Sequence, residues 1–335
     1  MGATISYIFG FVYQQLIYKP IYPTADLSGQ TIVITGSNVG LGLDAAQHIV
    51  RLKASKVILA VRTESKGEHA KKHIVDALGA DPARIEVWKL DMSSSQSVKA
   101  FADRLNQLER LDAVIENAGV LTHEWKMLEG DESHIKVNVI STVLLALLVL
   151  PKLRESGQKY KKSGTLSLVG SDLHLIAKFA EKNVHGKTLF EALNTERGSD
   201  IGDRYGTSKV LMMMAVRELA QKHPVSKDSP VVINCCNPGM CITTIFRDEG
   251  SWLKMKTIET MTGLFARSCE VGSRTLVNCI ALTGEESHGK FVNNDQPSRT
   301  SSYIESEKGK RMQRQFWDEL MMRLETIAPG ASKNA

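Results

Sequence analysis

Residues Thr31–Gly42 read TIVITGSNVGLG, and this stretch decides the fold. Ile32, Val33 and Ile34 are consecutive β-branched aliphatics, the composition of a short buried strand. Gly36, Gly40 and Gly42 follow at once, and the apolar periodicity of Leu43–Leu52 predicts a helix behind them. The first N–H groups of a helix are unpaired and carry the positive end of its dipole, so they attract a pyrophosphate. Glycine lets the backbone turn tightly and approach that anion without a Cβ in the way. Strand, glycine turn and helix in this order mark a dinucleotide site. Its candidate residues are Thr35, Gly36, Ser37, Asn38, Gly40, Leu41 and Gly42.

Outward from this stretch, strand patterns alternate with helix patterns. Strands are expected at Lys56–Val61, Arg84–Leu90, Asp112–Glu116, Gly164–Gly170, Val231–Cys235 and near Lys290–Val292. Helices are expected at Ser65–Leu78, Ser94–Leu108, Ser133–Leu150 (stopping before Pro151), Asp203–Lys222 and Arg267–Leu282. Such alternation gives a mostly parallel sheet covered on both faces. The expected fold class is therefore α/β, a single doubly wound Rossmann domain over residues 28–295 with about seven strands. An apolar segment, 1–27, precedes it, and a helical extension, 296–335, follows. Within the extension, Trp317, Leu320 and Leu324 predict a helix from Ser302 to about Ile327, packed on the domain edge and ending in a frayed tail.

Composition excludes several function classes. The chain has 335 residues, 42% hydrophobic and 24% charged, with a formal net charge of +5, too small and scattered for nucleic-acid binding. Lys159–Lys162 reads as solvated loop. Five cysteines without metal-type spacing read as reduced thiols in a cytosol-facing protein, and no metal site is expected. His69 and His73 stand four apart on a lysine-rich helix with no third ligand, and read as solvated. At the N-terminus, Tyr7–Tyr13 is apolar or aromatic but too short to span a bilayer. Ile5, Phe9, Val12 and Leu16 fall at helical spacing, so residues 1–22 either pack on the domain surface or a partner subunit or make peripheral membrane contact. Met1-Gly2 with Ser6 also fits the bare myristoylation pattern.

The residue ending the second strand, about 20 positions past the glycines, meets the adenosine ribose in a dinucleotide fold. Here it is Arg62, with Lys66 a helical turn on. A guanidinium there suits a 2′-phosphate, so NADP(H) is expected over NAD(H). Asp91, ending the third strand, is a candidate acceptor for the adenine amino group.

Tyr205 and Lys209 lie at i and i+4, on one helix face. A phenol must drop ~3 units, or ~4 kcal/mol, to exchange protons near neutral pH. An ammonium at ~4 Å in an effective dielectric of ~20 supplies about that much. Tyr205 is thus the expected general acid–base group. Ser171, at the end of the fifth strand, would donate to the same substrate oxygen. Asn138, on the long helix, would hold a water beside Lys209.

The order of these motifs resembles the short-chain dehydrogenase/reductase family over roughly residues 28–295. The matching residues are Thr35-Gly36-x-x-x-Gly40-x-Gly42, Asp91, Asn117-Ala118-Gly119, Asn138, Ser171, Tyr205-x-x-x-Lys209 and Asn237-Pro238-Gly239. The resemblance implies a catalytic tetrad of Asn138, Ser171, Tyr205 and Lys209, with Lys209 also bonding the nicotinamide ribose. It implies cofactor contacts from Asn117, Ala118 and Gly119, and from Pro238, Gly239 and Thr243 on the nicotinamide side. It also implies homo-oligomers formed through the helices at 133–150 and 203–222. Gly36–Leu52, Ala60-x-Arg62 and Glu116–Gly119 are most similar to fungal reductases of specialised-metabolite pathways, with retinol-dehydrogenase-like members more distant.

Three features depart from the family pattern. Glu116 replaces the first Asn of the usual Asn-Asn-Ala-Gly, and Ser141 stands where many members have Gly. Ser171 and Tyr205 are 34 positions apart, so residues 172–202 are expected to form an inserted substrate loop, with a short helix at Val184–Leu193. This loop and 240–256 carry Leu173, Phe179, Phe190, Phe246, Trp252 and Leu253, an expected roof for a bulky apolar small molecule. Met212–Met214 are expected in the core, and His174 in a structural hydrogen bond. The expected activity is hydride transfer between NADP(H) and a carbonyl or secondary alcohol. The alternative is an NADP(H)-binding regulator or scaffold without turnover.

Overall fold

β1 (Thr31–Thr35) has every residue buried, because strands lie on both sides of it and helices cover both faces. The structure, a computed structural model, describes residues 10–183, 186–243 and 263–335. After β1 come α1 (Gly40–Arg51), β2 (Lys56–Val61), α2 (Glu64–Leu78), β3 (Ile85–Lys89), α3 (Ser95–Asn106) and β4 (Ala113–Glu116). A small hairpin, β5 (Met127–Leu128) and β6 (Asp131–Glu132), leads into the long helix α4 (Ser133–Tyr160). Then follow β7 (Gly164–Val169), α5 (Leu189–Leu193), α6 (Ile201–Lys222), β8 (Val231–Asn237), α7 (Cys269–Ala281) and β9 (Phe291–Asn293). The chain ends with β10 (Gln296–Ser298), α8 (Ser302–Glu305) and α9 (Glu307–Ile327).

The main sheet runs β3-β2-β1-β4-β7-β8-β9-β10, parallel except for β10. Strand order reverses between β1 and β4, so the ligand crevice of such a sheet opens there, beyond the strand carboxyl ends. One face packs Val33, Val114 and Leu166 under α3, α4 and α6. The other packs Ile32, Ile34 and Ile115 under α1, α2 and α7.

The eighth strand was not expected. β10 is short and contains Pro297, which only a sheet edge tolerates. A two-residue turn makes it: Asn294 and Asp295 both take positive φ, 51° and 57°, the hand that a tight hairpin requires. α4 also differs from expectation, passing through Pro151 to Tyr160. A proline inside a helix costs ~3 kcal/mol. Here its ring faces outward while the helix is clamped by α3, β7 and the C-terminal turn, and Asn106 donates to the Leu148 carbonyl just upstream. α4 is the one described helix long and apolar enough to cross a membrane, and its apolar stretch is 94% buried inside the fold.

The expected C-terminal helix is broken at Ser306, whose hydroxyl caps α9. Gly309 permits this, since a Cβ there would strike the Tyr303 carbonyl. Phe316, Trp317, Leu320 and Leu324 enter the same core as α6. The end is not frayed: Ala331–Asn334 forms a 3-10 turn against α4, and His223 bonds the Asn334 carbonyl at 2.8 Å. The outer faces of α4 and α6, which the resemblance offered for pairing, thus carry the chain's own tail.

Candidate active site

α6 presents Tyr205 and Lys209 toward the end of β7, where Ser171 stands. The Ser171 hydroxyl faces the Tyr205 phenol and favours its ionised form, and it caps the turn Asp172–Leu175 by accepting from Leu173 N–H. Lys209 Nζ lies 5.4 Å from the Tyr205 ring centre and donates to the Val169 carbonyl at 2.7 Å. Asn138 sits in a π-helical stretch of α4, Lys136–Ser141. The four residues of the expected tetrad therefore converge at one carboxyl end of the sheet.

Two of the four carry more than the expectation gave them. Asn138 Oδ1 accepts from Val120 N–H, while its Nδ2 donates to the Val120 carbonyl and to Ser208 Oγ. Ser208 in turn donates to the Tyr205 carbonyl. Both amide hydrogens of Asn138 are used, so its side chain clamps the segment after β4 to α6. The second addition is electrostatic. An ammonium at the observed separation is worth about 3 kcal/mol in an effective dielectric of ~20. Burial outweighs it: the Tyr205 phenol is pushed up to about 12, with Ser171 pulling it partly back. Burial also lowers Lys209 to about 8. Near neutrality the phenol is thus a protonated donor, and the lysine is still mostly charged.

The glycine turn fits a dinucleotide phosphate. Gly36 and Gly40 have φ of +66° and +60°, and a Cβ on Gly42 would lie 2.5 Å from the Gly36 carbonyl. Val39, the residue before α1, gives the helix no side-chain cap, which leaves its first N–H groups for an anion. The Ser37 hydroxyl is fully buried and without a partner among the described residues, and Asn38 and Leu41 flank it on the same turn. Asn117 Nδ2 donates to the Thr35 carbonyl, and Ala118 N–H donates to Thr35 Oγ1, with Gly119 against Asn138. Arg62 and Lys66 are exposed at the end of β2, and neither side chain takes a protein partner among the described residues. Asp91 uses Oδ1 on Ser93. Pro238 and Gly239 follow β8, and Thr243 lies just beyond. A nicotinamide dinucleotide laid along this edge would have the glycine turn at its phosphates and Lys209 and Pro238-Gly239 at its other end.

Two of the three described residues of the expected roof lie elsewhere. Phe179 and Phe190 are buried core residues, packed on Tyr303 and Phe316 of the C-terminal helices. Leu173 remains at the mouth, 38% exposed, beside Ile176. The short helix forms at Leu189–Leu193 only. Val184, Thr244, Phe246, Trp252 and Leu253 lie outside the described residues. Met212–Met214 are core, and His174 donates through Nδ1 to the Ser171 carbonyl at 2.7 Å.

Sequence reasoning missed a buried polar shell around Tyr205. His134 packs edge-on to its ring, with Nδ1 on Glu132 at 2.8 Å and Nε2 accepting from Thr122 N–H. Arg204, 1% exposed, pairs with Glu181 at 2.7 Å. It also missed Gln14, Gln15 and Arg267, which dock the N-terminal segment onto Pro238–Met240. The only sequence signal was two glutamines interrupting an apolar run.

A profile of the short chain dehydrogenase family matches residues 30–173. The short chain dehydrogenase/reductase dmxR8 of Cryptosporiopsis sp. is 42% identical over 331 residues, covering 97% of this chain and 99% of that protein. The short-chain dehydrogenase anuD of Penicillium roqueforti is 36% identical, covering 96% of this chain and 84% of that protein. In fold, a Shigella flexneri short chain dehydrogenase solved with NADP matches at TM-score 0.57 and 20% identity, covering 82% of this chain and all of that one. A doubly wound sheet whose carboxyl edge gathers a glycine turn, Ser171, Tyr205 and Lys209 defines a nucleotide-dependent oxidoreductase. The chain belongs to the short-chain dehydrogenase/reductase family.

Glu116 is a family departure with a measurable consequence. Both carboxyl oxygens are buried without a partner among the described residues, and burial raises its pKa well above the ordinary 4.5. The folded state therefore keeps a proton that the unfolded chain releases, and stability falls as pH rises above the ordinary value, by ~1.4 kcal/mol per unit. Glu116→Gln is expected to raise the melting temperature by a margin that grows as pH rises above about 5. A margin independent of pH, read by circular dichroism, contradicts this.

Proposed function

We propose that this protein is an NADPH-dependent carbonyl reductase acting on a bulky, largely apolar metabolite. The observation that carries the reading is the meeting of the Ser171 hydroxyl and the Tyr205 phenol in front of the buried Lys209. Ser171 orients the substrate oxygen by donating to it, and Tyr205 delivers a proton to that oxygen as the carbonyl becomes an alcohol. Lys209 favours the phenolate left behind and spans to the nucleotide ribose. Bound NADPH supplies the hydride. Arg62 and Lys66, exposed and unengaged, support the preference for a 2′-phosphate. Leu173, Ile176 and Ile242, 38%, 50% and 61% exposed near the ends of β7 and β8, support an apolar ligand. The fungal relatives support a place in specialised metabolism.

Tyr205→Phe is expected to lose at least about a hundredfold in turnover on polycyclic ketones, while NADPH still quenches protein fluorescence with near-normal affinity. In the native enzyme, kcat/KM for reduction should fall as pH rises through about 8, where Lys209 loses its charge. Full turnover in the phenylalanine variant would overturn the proton role and favour a nucleotide-binding regulator.

The N-terminal segment supports membrane contact. Tyr13, Leu16 and Ile17 turn outward at 51%, 53% and 67% exposure, while Gln14 and Gln15 turn inward. The protein is expected to co-sediment with phosphatidylcholine–phosphatidylserine vesicles, and a Leu16→Glu/Ile17→Glu variant to remain in solution. Equal sedimentation of the two would remove this contact.

A further inference from the structure

The N-terminal segment is amphipathic the wrong way round for simple packing. Tyr13, Leu16 and Ile17 face outward, and the polar Gln14 and Gln15 are buried to 3% and 7% exposure. Burying two amides is costly unless their polar atoms are paired, and one atom of each is paired here, while Gln14 Nε2 and Gln15 Oε1 have no hydrogen-bond partner among the described residues. Gln15 Nε2 donates to the Met240 carbonyl at 2.8 Å and to the Phe265 carbonyl at 3.2 Å. Gln14 Oε1 accepts from Asn293 Nδ2 at 3.0 Å. Arg267, 6% exposed, donates to the Gln14 and Tyr18 carbonyls and, through its other terminal nitrogen, to the Pro238 carbonyl.

From Gln14 the contacts run inward. Asn293 Oδ1 accepts from Asn237 Nδ2 at 3.0 Å, and the same Nδ2 donates to Asp172 Oδ1 at 2.6 Å. Asn237 Oδ1 accepts from Gly239 N–H, which fixes the turn after β8. Asp172 is the residue next to Ser171, and its carboxyl, pushed up by burial, is drawn back by Asn237, Gln14 and the charge of Arg267. Gly239, at φ +73°, is where the segment presses closest: a Cβ there would lie 2.6 Å from Gln15 Oε1. One connected set of buried polar groups therefore joins residues 14–18 to both sides of the reacting centre, the Ser171 turn and the Pro238-Gly239 turn.

We propose that Gln14, acting through Asn293 and Asn237, is a positioning residue that sets the Ser171–Asp172 turn and the Pro238–Met240 turn for hydride transfer. The segment preceding the nucleotide fold is then a working part of the active site. The glycine turn of α1 lies outside the connected set and holds the phosphates without it. This rests on the reductase reading for its effect on turnover, but not for its effect on loop order.

The test is hydrogen–deuterium exchange of the full chain, native against Gln14→Leu and Asn293→Ser, beside NADPH binding and kcat. Amide exchange in peptides covering 170–176 and 237–241 is expected to rise about tenfold in both variants, the scale of one buried hydrogen bond. Peptides covering 31–42 should not change, and NADPH affinity should stay within about twofold while kcat falls about tenfold. The double variant should be no worse than either single one, since both cut the same connection. Unchanged exchange at 170–176 in the folded Asn293→Ser protein overturns the proposal, whatever becomes of Gln14→Leu, and so do additive losses in the double variant. A native protein without turnover, whose exchange nevertheless responds as described, overturns the reductase reading and leaves the positioning chain standing.

Discussion

A single buried hydrogen bond, Lys209 Nζ to the Val169 carbonyl at 2.7 Å, ties α6 to the end of the strand that delivers Ser171. Its donor is a cation taken out of water, and desolvation is what gives the site its proton chemistry. The same burial holds Lys209 down near 8 and Tyr205 up near 12, so both can carry a proton at neutral pH. Proximity of the ammonium alone would have drawn the phenol down, and in this fold that attraction is the smaller effect.

The surrounding architecture keeps these groups in register. Asn138, placed by the π-helical stretch of α4, links the segment after β4 to Ser208 and hence to the Tyr205 backbone. His134 and Glu132 secure Thr122 beside the phenol ring, and Arg204 with Glu181 closes the shell from the inserted loop. Fully buried charges of this kind contribute little net stability, but they penalise alternative arrangements. Opposite them, the N-terminal segment supports the turn after β8 through Gln14, Gln15 and Arg267. The C-terminal helices close the outer side, drawing Phe179 and Phe190 out of the substrate roof and into the core.

What was legible in the sequence was local. Thr31–Gly42 encodes strand, turn and helix within a dozen residues, and the Tyr205–Lys209 spacing follows from helical geometry alone. β2 could be read to the residue because KVILAV is an unbroken buried run. What was not legible depends on distant partners. Pro151 reads as a stop until α3 and the C-terminal turn clamp α4 around it. Phe179 and Phe190 read as ligand-facing until Tyr303 and Phe316 claim them. The direction of the Tyr205 shift could not be read, because spacing gives the distance to a cation but not the depth of burial. Gln14 and Gln15 looked like breaks in an apolar run because their partners lie more than two hundred residues away.

The most direct measurement is the titration of Tyr205 itself, followed by NMR of carbon-labelled tyrosine and assigned with Tyr205→Phe. The account predicts that in the protein alone this phenol ionises near 12, apart from the exposed tyrosines, and that the positively charged ring of the oxidised dinucleotide shifts it downward. A phenol that titrates at the ordinary value of about 10 with and without the dinucleotide would contradict the claim that burial sets the chemistry of this site.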